Sequence, residues 1–326
     1  MVPVGIIGLS PAWDARYRPA LKLLRERIAV RAVFDPVLSR AELAAEELGA
    51  HPVSGMRALA RRQDLKALLV FDTGWPGAEA LRLICQAGRP MFVGGALAAD
   101  DSGLDRLGTL AVASRTMVMP ELGQRYTPAT SRLRELMATR LGRPLQIEIE
   151  AAAPTVPPGG QPLGRRPWEE FVARLADWCC YVVPTPPSEV AATAAANSRP
   201  DSIRLAFARP RSGGDAPRVD IRLHVSGADS TGAAASPVYQ VRCERGEATL
   251  LSTNRIVWRT EAEQADESLT SERSDVQVML DHFCRRVVGG LIPVADLGDI
   301  RRSRALVWAA GESLRTGEPV QLNGKA

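Results

Sequence analysis

The chain has 326 residues, 45% of them hydrophobic and 24% charged, the balance of a soluble globular protein with no large disordered part. That length suits two domains better than one core. A net charge of +4 spread over the whole chain argues against a nucleic-acid partner, since such proteins concentrate basic residues on one face, and the doublets Arg61/Arg62, Arg165/Arg166, Arg285/Arg286 and Arg301/Arg302 are scattered.

Val4 to Leu9 is a continuous apolar run, as expected of a parallel strand buried on both faces. Arg16 to Ile28 carries apolar residues at helical spacing, and Val30 to Phe34 reads as a second buried strand ending at Asp35. Ser39-Arg40-Ala41-Glu42 has the form of a capping box, with Gly49 closing the helix. Leu65 to Phe71 is a third strand, Pro76 to Ala87 a helix stopped by Gly88, and Met91 to Val93 a fourth strand. This alternation predicts an α/β domain over 1–122, a Rossmann-type doubly wound parallel sheet.

The pattern changes after Pro120. A helix is expected over Pro128 to Arg140, then strands near Leu145 to Ala153, Ile203 to Ala208, Val219 to Val225, Val238 to Cys243 and Ile256 to Trp258. Hairpin-type loops such as Ser212-Gly213-Gly214-Asp215 join several of them, so 123–326 reads as an α+β domain with a mostly antiparallel sheet. Asp275 to Val288 and Ile300 to Arg315 are closing helices, stopped by Gly289 and Gly317. The Pro/Gly segment 154–167, PTVPPGGQPLGRRP, is long enough to cover a site or to move.

In an open parallel sheet, ligands sit beyond the carboxyl ends of the strands. The first turn there is Gly8-Leu9-Ser10-Pro11-Ala12-Trp13; against G-x-G-x-x-G it keeps only Gly8, with Ser10 and Trp13 at the other two glycine positions. Ser10 offers an amide and a hydroxyl to a phosphate. Asp35, ending the second strand, suits a ribose diol and repels a 2′-phosphate, which favours NAD over NADP, although Arg40 stands nearby. Thr73 and Gly74, past the third strand, and Gly94, past the fourth, are expected neighbours of a dinucleotide. Trp13 and Trp75-Pro76 flank the crevice and stack on a ring or simply pack.

Other chemistry is thin. The lysines are Lys22, Lys66 and Lys325, so any mechanism needing a side-chain amine must draw on those three. Cys85, Cys179, Cys180, Cys243 and Cys284 show no CxxC spacing and read as the packed, reduced thiols of a cytoplasmic protein. His51, His224 and His282 lie far apart, so no metal site is expected. No segment approaches a membrane span, and MVPVGIIGLSPAWD lacks the basic leader of a signal peptide.

Five stretches together resemble the Gfo/Idh/MocA oxidoreductases, the family of glucose-fructose oxidoreductase and inositol dehydrogenase: VGIIGLSPAWDARYRPAL at 4–21, VFDPVLSRAELAAEELGA at 33–50, ALRLICQAGRPMFVGGALA at 80–98, RYTPATSRLRELMATRLGRPLQI at 125–147 and ESLRTGEPVQL at 312–322. The resemblance implies an NAD(P)-binding domain, an antiparallel substrate domain, a sugar, inositol or polyol substrate, and a homo-oligomer. It also implies Glu-Lys-Pro after the strand ending near 93, where this chain has Gly94, Gly95 and Ala96. The family's Asp-x-Gly-x-His motif with its following aspartate falls on EFVARLAD, 170–177, with Glu170 for the aspartate, Val172 for the glycine, Arg174 for the histidine and Asp177 kept.

Hydride removal from an alcohol leaves a proton for a base tuned near the working pH. Both groups that the resemblance implies for this are missing, so a catalytically impaired homologue is expected, with Glu170, Asp177 or Tyr181 as the available substitutes. Arg174 and Tyr181 are the substrate-binding candidates; Arg174 directed into the cleft would favour an anionic sugar derivative, whereas the four-residue spacing to Glu170 favours an ion pair. The alternative function is a non-catalytic dinucleotide-binding, sugar-binding or scaffold protein. Arg125-Tyr126 falls in the family's inter-domain stretch.

Overall fold

The computed structural model describes residues 1–322 apart from 75–76, 96, 98–100, 154–166, 195–199, 212, 226–235, 271–272 and 292. The chain divides into two compact units, Met1–Gly123 with Arg273–Ile300, and Gln124–Glu272 with Arg301–Ala326.

In the first unit, strands β1 (Val2–Ile7), β2 (Ile28–Phe34), β3 (His51–Pro52), β4 (Ala67–Val70), β5 (Met91–Val93) and β6 (Val118–Pro120) form one sheet in the order β3-β2-β1-β4-β5-β6. Every pairing in it is parallel. Apart from Arg31 in β2 and the short exposed β3, the strands are apolar because helices cover both faces, and Ile6, Leu68, Leu69 and Phe92 have no exposure at all. The intervening helices are α1 (Arg18–Leu23), α2 (Leu38–Leu48), α3 (Met56–Ala60), α4 (Gly77–Gln86) and α5 (Asp101–Ala113).

Two local expectations change. The helix expected over 16–28 is a π-type turn, Trp13–Tyr17, followed by the short α1; pairing of Val2 with Ile28 draws the end of that segment into β2. The capping box at Ser39 does not form, since α2 starts two residues earlier, behind Val37. Its cause is Asp35, whose Oδ1 accepts the Val37 N–H at 3.0 Å and sets the start of the helix. Gly49 does close α2, at φ +63°.

The second unit opens with α6 (Pro128–Leu136), capped by Thr127 with proline at its first turn, and β7 (Pro144–Ala153). Then come α7 (Pro167–Val182), β8 (Pro187–Thr193), β9 (Ser202–Phe207), β10 (Arg218–Val225), β11 (Val238–Cys243), β12 (Gly246–Ser252), β13 (Arg255–Thr260) and β14 (Gln264–Ser268). α8 (Asp275–Val287) belongs to the first unit again, and α9 (Leu297–Thr316), most of it in the second, precedes β15 (Val320–Gln321). Ser274 and Gln277 form the capping box of α8, one that the sequence pattern did not single out. The nine-stranded sheet runs β14-β13-β12-β11-β7-β10-β9-β8-β15, antiparallel except where β10 meets β7.

One face of this sheet, with Ile147, Ile149, Val219, Ile221 and Val241, is buried with Leu133, Val172, Leu175, Trp178 and Ala309 from the helices. The other face alternates charges that pair across strands, Arg204 with Asp220, Arg255 with Asp266 and Arg259 with Glu247. No helix among the described residues is long and apolar enough to cross a membrane.

Candidate functional site

In the first unit the strand order reverses direction between β1 and β4, and most of the residues singled out there gather at the carboxyl ends of the strands. Gly8 follows β1 at φ +73°, and a Cβ on it would lie 2.6 Å from the Asp72 Cβ, so no other residue fits the turn. The Leu9 N–H donates to Asp35 Oδ2 at 2.8 Å, while Oδ1 takes the Val37 N–H. Asp35 is therefore buried, with a backbone donor on each oxygen. Arg40 crosses above it, donating to the Leu9 carbonyl with its Nη1 3.8 Å from Asp35 Oδ1. Thr73 is buried, and the Gly74 N–H turns back to Asp72 Oδ1 at 2.7 Å.

The first turn fits a phosphate with fewer donors than a full glycine-rich loop. Gly8 gives its N–H to Phe34, Leu9 to Asp35 and Trp13 to Ser10, and Pro11 has none. The N–H groups of Ser10 and Ala12 remain for a ligand. The Ser10 hydroxyl is buried without a partner, and a bound anion would satisfy it. Trp13 is buried against Phe71, ring centroids 6.0 Å apart.

A second cluster surrounds the place where the resemblance puts a lysine. The Gly95 N–H donates to Glu121 Oε2 at 2.6 Å, and the Tyr17 hydroxyl donates to the same oxygen at 2.5 Å. Arg16 completes the group, 2.7 Å from Glu121 Oε1 and 2.9 Å from Asp275 Oδ2. Burial and the adjoining carboxylate hold the Tyr17 phenol well above its usual pKa, so it stays protonated. Tyr17 stacks on Phe71 at 4.1 Å, and a Cβ at Gly94 would come within 2.7 Å of its hydroxyl. Gly94 and Gly95 stood out in the sequence, but Arg16, Tyr17, Glu121 and Asp275 did not, though Glu121 directly follows Pro120 at a strand's carboxyl end, where site residues collect. Lys22 is ion-paired with Glu47 at 2.5 Å on the outside of the first helix, and Lys66 precedes β4 at the strand's opposite end. Lys325, Trp75-Pro76, Ala96 and the loop residues 154–166 lie outside the described residues.

In the second unit, α7 carries Glu170, Arg174, Asp177 and Tyr181 at spacings of four, three and four. Arg174 donates to Glu170 at 2.5 Å in an exposed pair. Asp177 is buried and held by Arg125 through Nε at 3.0 Å and Nη2 at 2.5 Å. Tyr181 accepts from Arg134 at 2.6 Å, and the guanidiniums of Arg125 and Arg134 lie 4.9 and 4.5 Å from its ring centre. Each candidate base on this helix thus already has a cationic partner. Burial pushes the neighbouring Cys179 thiol well up, which suits packing and not nucleophilic attack. Among the described residues no three His, Cys, Asp or Glu side chains gather as a metal would need.

No protein-family model and no curated protein sequence matches the chain. Solved structures do. A putative myo-inositol dehydrogenase from Sinorhizobium meliloti is 16% identical and superposes over 99% of this chain and 100% of its own, with a TM-score of 0.75. The chain has the fold of the Gfo/Idh/MocA oxidoreductases. An Agrobacterium radiobacter oxidoreductase solved with NAD+, L-tartaric acid and magnesium shares that fold at 15% identity, over 98% of both chains with a TM-score of 0.78. So does the UDP-N-acetylglucosamine 3-dehydrogenase of Acidithiobacillus ferrooxidans, at 16% identity over 96% and 97% with a TM-score of 0.74.

Proposed function

We propose that this chain is a Gfo/Idh/MocA-type oxidoreductase homologue that binds a nucleotide cofactor and a sugar or polyol derivative but has lost the family's proton transfer. The observation that carries this reading is Gly95: by the resemblance it takes the lysine's place, its N–H is tied to Glu121, and among the described residues the only hydroxyl bonded at that carboxylate is a phenol kept protonated. The histidine's place on α7 holds Arg174, which pairs with Glu170 and cannot accept a proton. That pair also removes the main support for an anionic substrate.

The N-terminal unit is the nucleotide-binding part in this reading, and the C-terminal unit meets the substrate. Ser10, Ala12 and Arg40 would hold the cofactor's phosphates and adenosine end, with Gly8, Leu9, Thr73, Gly74 and Gly94 beside it. A bound nicotinamide would supply a hydride acceptor or donor. NAD is preferred over NADP if Asp35 exchanges its Leu9 or Val37 amide for a ribose diol. Arg40, beside it, is the group that would weaken that preference. A homo-oligomer and a cytoplasmic location complete the proposal, and light scattering tests the first.

Titration calorimetry with NAD, NADH, NADP and NADPH, followed by a turnover screen on polyols and sugar acids, tests the reading. Micromolar binding, worth about 8 kcal/mol, without turnover is expected. Binding of no form at millimolar concentration removes the nucleotide-binding part and leaves the scaffold alternative. Turnover in the unmodified chain removes the claim of lost proton transfer.

A further inference from the structure

A second concave site lies at the opposite end of the parallel sheet. Its cleft, about 220 Å³, is formed by the last turn of α3, the last turn of α4 and the segments that lead into β4 and β5. Arg57, Arg61 and Arg89 line it together with Gln63 and Gln86, and among the described residues no carboxylate does. Leu65 and Arg89 stand just before the amino ends of β4 and β5, whereas Gly8, Asp35 and Gly94 follow the carboxyl ends of theirs.

Arginines near helix C-termini often only satisfy carbonyl groups. Arg89 does that here: it donates to the Leu65 carbonyl at 2.5 Å and to the Arg62 carbonyl at 3.0 Å, which fixes its guanidinium in place. Its Nε is buried with no acceptor. Arg57 and Arg61 do not share that role. Their guanidiniums have no hydrogen bond or ion pair among the described residues, and they stand four apart, where like charges repel.

The nearby carboxylates are already engaged. Asp64 is clamped by Arg62 at 2.7 and 2.9 Å, and Glu79, which feels the charge of Arg57, is clamped by Arg82 at 2.6 and 2.7 Å. Three guanidiniums and two amides thus line a cleft with no counter-charge among its described lining residues. A concave cluster of one sign focuses its field, and guanidinium geometry matches phosphate oxygens in pairs. The volume suits an inorganic anion or a phosphate group more than a whole nucleotide.

We propose that this cleft is a binding site for a small phosphate-bearing polyanion, separate from the crevice at the other end of the sheet. Arg89 is the fixed anchor, and Arg57 and Arg61 close on the ligand. The site does not depend on the chain's binding a dinucleotide.

The probe is inorganic pyrophosphate, titrated by calorimetry into the full chain in a low-salt buffer. Arg57→Ala/Arg61→Ala is compared with Arg40→Ala, which lies at the other crevice. Both cleft arginines are exposed, and an unchanged melting temperature without pyrophosphate confirms that the double variant folds. The expected result is saturable binding with a component that weakens at least about tenfold in the double variant, persists in Arg40→Ala whatever that variant loses at the other crevice, and falls as salt is raised. Two results overturn the proposal: no binding at about 10 mM pyrophosphate, or binding that Arg40→Ala removes and the double variant keeps.

Discussion

Asp177 separates a structural role from a catalytic one. Its carboxylate and the Arg125 guanidinium are each 4% exposed, with two N–H···O contacts at 3.0 and 2.5 Å. Asp177→Ala takes a bidentate carboxylate away from a buried cation, which costs about 3–5 kcal/mol, whereas replacing both partners with apolar residues of similar size is often close to neutral. Arg125→Met/Asp177→Leu is therefore expected to recover most of what Asp177→Ala loses, and the cycle to show coupling of about 2 kcal/mol or more. Urea unfolding at neutral pH, followed by tryptophan fluorescence, measures this, since Trp178 is fully buried beside Asp177. The reasoning fails if Asp177→Ala costs less than about 1 kcal/mol, or if it leaves stability intact while removing a measurable turnover. The second outcome would make Asp177 the base.

Three further outcomes follow from the geometry. Gly94→Ala places a methyl group 2.7 Å from the Tyr17 hydroxyl and should cost about 1–3 kcal/mol by thermal unfolding; adding Tyr17→Phe should recover part of that, and no recovery would mean that the clash is elsewhere. At Gly95 a side chain meets open space but the backbone stands at φ +68°, so Gly95→Lys should fold at a cost of about 1 kcal/mol. Neither Gly95→Lys nor Arg174→His alone should produce polyol-dependent NAD reduction, and the two together should, read by nicotinamide absorbance; activity in either single variant would count against the loss of both groups as the cause. Arg132, bonded at 2.7 and 2.8 Å, and then Trp258, hold Glu267 below the usual carboxylate range. Its contribution is thus present above the unfolded-state value of about 4.3 and is lost as pH falls through the lower folded value. Glu267→Gln should be less stable than the parent at neutral pH, with the gap narrowing in acid, and a constant gap from pH 7 to pH 3 would contradict it.

The first domain's class was legible because its signals are local. The apolar run before Gly8, the strand ending at Asp35, the glycines closing α2 and α4 and the strand Met91–Val93 each lie within a few residues of the chain, and their alternation admits one kind of sheet. The Glu170–Arg174 pair was equally plain, since four residues is one helical turn. Short or polar elements such as α3, β8, β12 and β14 were not legible, because neighbours on the sheet hold them in place and their own apolar periodicity does not. Partner choice was hidden as well. The sequence supplies Asp35 as a ribose acceptor, and the fold turns it onto the amides of Leu9 and Val37. It supplies Asp177 as a spare base, and the fold buries it against Arg125, 52 residues away. Tyr17 meets Glu121 across 104 residues, and Arg57, Arg61 and Arg89 surround one cleft. A residue's type fixes which protons and charges it can carry; whether it carries them to a ligand depends on burial and counter-charge, and those come from parts of the chain that only folding brings near.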